Sequence, residues 1–163
     1  MTIISNIAQN LMNQGIVTAD DIRGCTRAEI AALEEAQRVE STPIAYREFM
    51  EYTGKNPYWL RREGEWNYEW VLEAKDIARE IVVDDYGRDF SDFEDSFVFQ
   101  THQGYMFYYF TPECLAEADP RFWIFEGKKP VRISKLSFNQ WLNKLAEHLP
   151  EAVRVHKKLY GSQ

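Results

Sequence analysis

The stretch FVFQTHQGYMFYYF, residues 97–110, constrains the fold of this chain more than any other. Aromatic and β-branched residues dominate 97–101 and 105–110, and such residues favour pleated, half-buried strands. A His-Gln-Gly connection joins the two strands, and Gly104 permits the positive φ that a tight turn needs. Both faces of this hairpin are largely apolar, so we expect it to be central in a sheet that is covered on both sides.

Helical periodicity precedes the hairpin. Apolar residues recur at helical spacing in an N-terminal helix at 2–15. Thr26 and Glu29 form a capping box, which predicts a second helix. Pro43, which a first helical turn tolerates, precedes a third helix that we expect to end at Gly54.

A longer helix is predicted from about residue 67 to Asp84 by its spacing of apolar side chains. Its apolar stripe is Trp70, Ala74, Ile77, Ala78 and Ile81.

A second strand pair, RFWIFE and PVRIS, follows the hairpin across a Gly-Lys-Lys turn. Ser137 and Gln140 then form another capping box. Pro150 is expected to break or restart this last helix, giving a C-terminal helix at 150–160.

The order of helices, then strands, then helices indicates an α+β fold. We expect a single domain over residues 1–163, because this length suits one compact core. The predicted sheet is mainly antiparallel with about four to six strands, has helices packed around it and leads into a long C-terminal helical segment.

Charge and cysteine content exclude several classes of protein. The chain has 19 Lys and Arg against 26 Asp and Glu, a net charge of −7, and its only conspicuous basic clusters are the pairs 61–62 and 157–158. An acidic chain repels phosphate backbones, so we predict no direct binding to nucleic acid. Cys25 and Cys114 are far apart and form no CxxC pattern, which favours free thiols in a reducing cytoplasm. We find no secretory signal and no membrane-spanning run, so we predict no membrane partner.

Catalytic patterns are absent from the sequence. It lacks GxGxxG, GxxxxGK[ST], GxSxG and HExxH motifs. His148 and His156 are eight apart with a proline between them, which does not suit two metal ligands on one helix. His102 has neither a nucleophile nor an orienting carboxylate beside it in sequence, so we interpret it as a structural residue of the turn. We therefore predict a protein that is not an enzyme and that has no metal and no cofactor.

Four stretches occur in a fixed order along the chain: GCTRAEIAALEEAQ, PIAYREFMEYTG, FEDSFVFQTHQGYMFYYF and DPRFWIFEGKKPVRISKLSFNQWL. Together they resemble the SUKH superfamily, which includes bacterial toxin-immunity proteins and a yeast cell-wall regulator. The resemblance covers residues 24–145 and leaves helices 2–15 and 150–160 as extensions. It departs from the family at Thr42, where a leucine is more usual, and is thin over residues 55–95. The positions that match are Glu29, Ile30, Leu33, Glu34, Pro43, Tyr46, Arg47, Glu48, Phe49, Gly54, His102, Gln103, Gly104, Tyr105, Asp119, Pro120, Gly127, Ser137 and Phe138.

The resemblance implies a cytoplasmic bacterial immunity protein. Such a protein binds a cognate polymorphic toxin, often a nuclease with a basic cleft, and neutralises it by stoichiometric occlusion. The same family also implies an alternative, a cytosolic adaptor or regulatory binding protein with no toxin partner. In the relatives, HQGY is a hairpin signature of binding proteins, which agrees with a structural role for His102.

The segment DDYGRDFSDFED, residues 84–95, is a candidate surface for a basic partner. Acidic groups steer encounter and aromatic area holds a complex. The alternative is a solvated loop whose aromatic residues cover the edge of the core. In a second loop, Trp59 is either an interface anchor or a cap over the sheet. The sequence leaves a monomer or a weak dimer open. The candidate partner-binding residues are Asp84, Asp85, Asp89, Asp92, Glu94, Asp95, Tyr86 and Trp59.

Overall fold

A computed structural model describes the backbone of residues 1–160 and the side chains of residues 1–152, 158 and 159. It is an α+β fold with one four-stranded antiparallel sheet in the order β1-β2-β3-β4, which confirms the predicted class. The strands are β1 (Phe97–His102), β2 (Met106–Phe110), β3 (Arg121–Glu126) and β4 (Arg132–Ser137). Over residues 1–160 the helices are α1 (Ile3–Asn13), α2 (Arg27–Ala36), α3 (Ile44–Thr53), α4 (Tyr68–Val71), α5 (Ala74–Arg79), α6 (Pro112–Leu115) and α7 (Phe138–Tyr160).

The hairpin β1–β2 forms as the sequence predicts. Gln103 and Gly104 both have positive φ, 50° and 73°, and the Tyr105 N–H donates to the His102 carbonyl at 3.3 Å. Positive φ at two successive central residues is typical of the tight turns that match the twist of paired strands. The register shifts between Val98 and Gln100, which leaves one extra residue, Phe99, as a bulge in β1.

The expectation that this hairpin is central was wrong for one of its two strands. β2 lies between β1 and β3, but β1 is an edge strand of the sheet. The hairpin is nevertheless covered on both faces, and every residue from Phe97 to Thr101 is buried. Apolar residues on both sides of a strand indicate that both faces of the sheet are covered there. They do not indicate which strands are its neighbours in the sheet.

The core has two layers, one on each face of the sheet. Alternate residues of a strand point to opposite faces, so the single sheet supplies both layers. One layer packs against α1, α2, α3 and α7, with Tyr46, Phe49 and Phe138 at its centre. The other packs against α5 and the segment that follows it. From the sheet, the first layer takes Phe97, Phe99, Phe110 and Phe122, and the second takes Val98, Phe107, Tyr109 and Phe125.

Both predicted capping boxes are present. The Glu29 N–H donates to Thr26 Oγ1 at 3.1 Å, and the Thr26 N–H donates to Glu29 Oε1 at 2.9 Å. Ser137 and Gln140 make the same reciprocal pair at the start of α7, at 3.2 and 2.9 Å. These local signals therefore fixed two helix starts correctly.

Two predictions about helix continuity were wrong. The predicted helix from about 67 to 84 is divided into α4, α5 and a π-helical turn at Glu80–Asp85. Trp70 is 45% exposed and Val71 is buried in its place, whereas Ala74, Ala78 and Ile81 of the predicted stripe are buried. At the other end, α7 continues through Pro150 where we expected a break. No helix among the described residues is long and apolar enough to cross a membrane.

Candidate partner-binding surface

The acidic segment begins where α5 widens into the π-helical turn. The Tyr86 N–H donates to the Ile81 carbonyl at 3.1 Å, a spacing of five residues that gives the wider turn. Ile81 and Val82 are buried on the inner side of this turn. Asp84 and Asp85 therefore lie on its outer side, in solvent.

Five aspartates of this segment are exposed to solvent. We call them the acidic surface: Asp84, Asp85, Asp89, Asp92 and Asp95. The Asp89 carboxylate accepts hydrogen bonds from the Ser91 hydroxyl at 2.7 Å and the Ser91 N–H at 3.1 Å. These bonds lower the pKa of Asp89, so its negative charge persists in mildly acidic solution.

Glu94 differs from the aspartates because its charge is compensated within the chain. Its carboxylate lies 2.7 Å from the Arg79 guanidinium, and this hydrogen bond lowers the pKa of Glu94. Arg88, the single cation of the segment, lies over the ring of Phe125 at 5.3 Å. A partner would therefore meet five aspartates that form no salt bridge with another described residue, rather than six free acids.

Two aromatic residues of the segment belong to the core. Phe90 and Phe93 are each 3% exposed. Phe93 packs edge-on against Phe107 at 5.6 Å and against Phe125 at 5.8 Å. Only Tyr86 is half-buried, with its ring 6.0 Å from Phe125. The alternative interpretation of the sequence, that aromatic residues of this segment cover the edge of the core, is thus correct for Phe90 and Phe93.

Trp59 is half-buried and has an internal partner. Its indole N–H donates to Thr53 Oγ1 at 2.8 Å, and its ring packs against the core layer of α1, α3 and α7. The structure thus gives Trp59 the position of a cap over the core.

The remaining candidate chemical groups are isolated. The His102 ring lies 5.9 Å from Tyr105, edge-on, and makes no hydrogen bond to another described residue. The side chain of His156 lies outside the described residues. Cys25 and Cys114 are free and buried, and burial raises the pKa of the Cys25 thiol to about 12. Among the described side chains, no three His, Cys, Asp or Glu residues converge as metal ligands.

Sequence reasoning missed a cationic patch at the β4 edge of the sheet. We concluded that basic residues cluster only as pairs, but KKPVRISK at 128–135 places four cations on the β3–β4 turn and on β4. The signal in the sequence was this run of basic residues, which is less conspicuous because Pro130, Val131 and Ile133 lie between its members. Its members are Lys128, Lys129, Arg132 and Lys135.

Neither the scan against models of protein families nor the search of curated proteins matches this chain.

Proposed function

We propose that this chain is an immunity protein of the SUKH type, which binds a cognate protein toxin in the bacterial cytoplasm and neutralises it by occlusion. The observation that carries the proposal is the acidic surface, whose five exposed aspartates lie within one twelve-residue segment of an acidic chain. The resemblance of residues 24–145 to the family supplies the functional class. The function is binding in a one-to-one complex and requires no catalysis by this chain.

The physical mechanism is competition for a basic cleft. An enzyme that cleaves nucleic acid carries lysines and arginines that neutralise phosphates. Clustered carboxylates carry the same sign of charge as phosphates, so they accelerate encounter with that cleft. Because most of their area is solvated, the aspartates contribute more to the association rate than to the lifetime of the complex. Tyr86 lies beside them and offers the apolar area that a buried contact needs.

The alternative is an adaptor of the same fold with no toxin partner. The two functions differ in genetic context and in the effect on growth. An immunity gene lies next to a reading frame that encodes a toxin domain, and its product rescues cells from that domain. An adaptor binds a partner that is harmless to the cell.

The test is to sequence the DNA on both sides of the gene and to express any adjacent toxin-like C-terminal domain with and without this chain. We expect growth arrest without the chain and rescue with it, and inhibition of the purified toxin that is complete at equimolar protein. Persistent killing in the presence of well-expressed, folded chain would reject the proposal. A neighbourhood without a toxin-like domain favours the adaptor.

The surface is tested by reversing four charges, Asp84, Asp85, Asp89 and Asp92, to lysine. We expect association with the toxin to slow on the order of tenfold or more and to lose its dependence on salt. The matched control reverses four exposed acids elsewhere, Asp20, Glu35, Glu113 and Glu117, with the same change in net charge. Equal slowing in both variants would show that net charge acts without a local surface.

A further inference from the structure

The two edges of the sheet differ in how their backbone groups are satisfied. On β1, Thr101 exchanges two backbone hydrogen bonds with Glu65, at 2.8 and 3.1 Å. The Gln37 side chain closes the same edge at Val98. On β4, no backbone hydrogen bond joins the outer side of the strand to any described residue. One edge is therefore closed, and the other is open to pairing.

A groove with an aromatic floor lies beside the open edge. It has a volume of about 330 Å³ and lies between β4 and the first turns of α7. Phe122 packs against Tyr108 at 5.3 Å and against Trp141 at 5.2 Å. Ile133 of β4 lines the same groove and is 39% exposed. The groove thus offers apolar contact immediately beside unpaired backbone.

The rim of the groove is cationic. Arg132 and Lys135 line it, and the Arg61 guanidinium lies 5.6 Å from the Trp141 ring centre. Three acids lie near these cations: Glu126 is shared by Arg132 at 2.9 Å and Lys129 at 3.4 Å, Glu63 lies 3.7 Å from Arg61, and Asp119 accepts a hydrogen bond from Ser137 at the end of β4. Neither Lys128 nor Lys135 has a described carboxylate within salt-bridge distance. The edge therefore carries excess positive charge on an acidic protein.

From this combination we propose that β4 binds an extended, acidic segment of a partner protein as an added strand. Backbone pairing with β4 supplies the alignment, and one apolar side chain of the segment enters the groove. Carboxylates of the segment then lie near Lys135 and the neighbouring cations of the edge, which attract them. This proposal does not depend on the toxin or on the acidic surface, which lies in a different segment of the chain.

The charge disfavours the simplest alternative occupant, a second copy of β4. Two copies of β4 paired edge to edge would bring Arg132 and Lys135 of one copy against those of the other, and like charges opposite each other are destabilising. Lysines on an edge also protect a sheet from uncontrolled pairing. Protection alone does not require a groove lined by the partly exposed rings of Tyr108 and Trp141, whereas recognition of a side chain does.

The experiment measures binding of a fluorescein-labelled peptide of about eight residues that alternates glutamate with valine or phenylalanine. A second peptide replaces every glutamate with lysine. A third keeps the charge but has proline at two valine positions, which prevents strand pairing. Anisotropy gives the affinity, and amide chemical shifts of the ¹⁵N-labelled protein locate the site.

We expect only the first peptide to bind, with shifts confined to β4, Tyr108 and Trp141. The Lys128→Glu/Lys135→Glu variant should weaken binding about tenfold, because two attractive contacts become repulsive. The Arg23→Glu/Arg27→Glu variant is the matched control, since both arginines are exposed and lie on and just before α2. It should bind as the wild type does.

Three results would overturn the proposal. Equal binding of the proline peptide would show that charge attracts the peptide without strand pairing. Displacement of the first peptide by an oligothymidylate at equal concentration would assign the groove to single-stranded nucleic acid. A dimer of the free protein with shifts at β4 would assign the edge to a second copy of the chain.

Discussion

The side chain of Gln37 pairs with the backbone of Val98 as a strand residue would. Its amide nitrogen donates to the Val98 carbonyl and its amide oxygen accepts from the Val98 N–H, both at 2.7 Å. The same nitrogen donates to the Val71 carbonyl at 2.9 Å. Gln37 is fully buried. One side chain therefore satisfies three buried backbone groups and closes the β1 edge between α2 and α4.

Replacing Gln37 with leucine should lower the free energy of unfolding by about 3 kcal/mol or more, because three buried backbone groups lose their partners. Urea unfolding measures this change, and hydrogen exchange should show faster exchange of the Val98 N–H. Gln9→Leu is the matched control, because Gln9 is exposed on α1 and its side chain bonds Asn13 alone among the described residues. A Gln37→Leu protein as stable as the Gln9→Leu protein would contradict this role.

The sequence predicted the elements whose determinants are local. A capping box spans four residues, so Thr26–Glu29 and Ser137–Gln140 can be recognised directly in the sequence. The β1–β2 turn is likewise specified by Gly104 and the strands that flank it.

Contacts between distant segments could not be read in this way. Gln37 and Val98 are 61 residues apart in sequence, so their pairing depends on a fold that local patterns do not specify. Phe90 and Phe93 look like exposed anchors among aspartates until the sheet face that they cover is known. The exposure of the aspartates themselves follows from their charge.

Lys75 should make stability rise with pH. It is 6% exposed and donates to the carbonyls of Gln37 and Glu94. Burial lowers its pKa from 10.5. As the pH rises between that lowered pKa and 10.5, the unfolded chain binds more protons at Lys75 than the folded chain does, so the folded state gains stability.

The measurement compares wild type with Lys75→Met by urea unfolding from about pH 8 to about pH 10. The stability of wild type minus that of the variant should increase across this range. Lys55→Met is the control of opposite sign, because the Glu29 carboxylate raises the Lys55 pKa. The stability that Lys55 contributes is fully present below its ordinary pKa of 10.5 and is lost as the pH rises above it. The stability of wild type minus that of Lys55→Met should therefore not increase with pH. If the stability difference from wild type changed with pH in the same way for both variants, the rise in stability could not be assigned to Lys75.

Tyr46→Phe should leave the protein equally stable or stabilise it by about 1 kcal/mol. The Tyr46 hydroxyl is buried and has no hydrogen-bond partner among the described residues. Its ring contacts, including Phe97 at 5.3 Å, do not need the oxygen. Tyr58→Phe is the matched control, because the Tyr58 hydroxyl donates to Asn67 Oδ1 at 2.7 Å, and its loss should cost about 1 kcal/mol. Thermal unfolding that ranks Tyr46→Phe below Tyr58→Phe would show that the Tyr46 hydroxyl has a stabilising partner.

Gly24→Ala should be severely destabilising, by about 3 kcal/mol or more, because no space exists for a side chain there. A Cβ at this position would lie 1.8 Å from the Glu51 carbonyl oxygen, and backbone cannot rotate away as a flexible side chain can. Hydrogen bonds on either side hold Gly24 close to the Glu51 carbonyl. The Cys25 N–H donates to the Met50 carbonyl and the Lys55 N–H donates to the Arg23 carbonyl, both at 2.9 Å. Gly87→Ala is the control, since a Cβ there meets nothing within 4 Å and only its φ of 61° opposes the change, at about 1 kcal/mol. Equal losses of stability in urea for the two variants would show that the loop at Gly24 moves away from α3 at little cost.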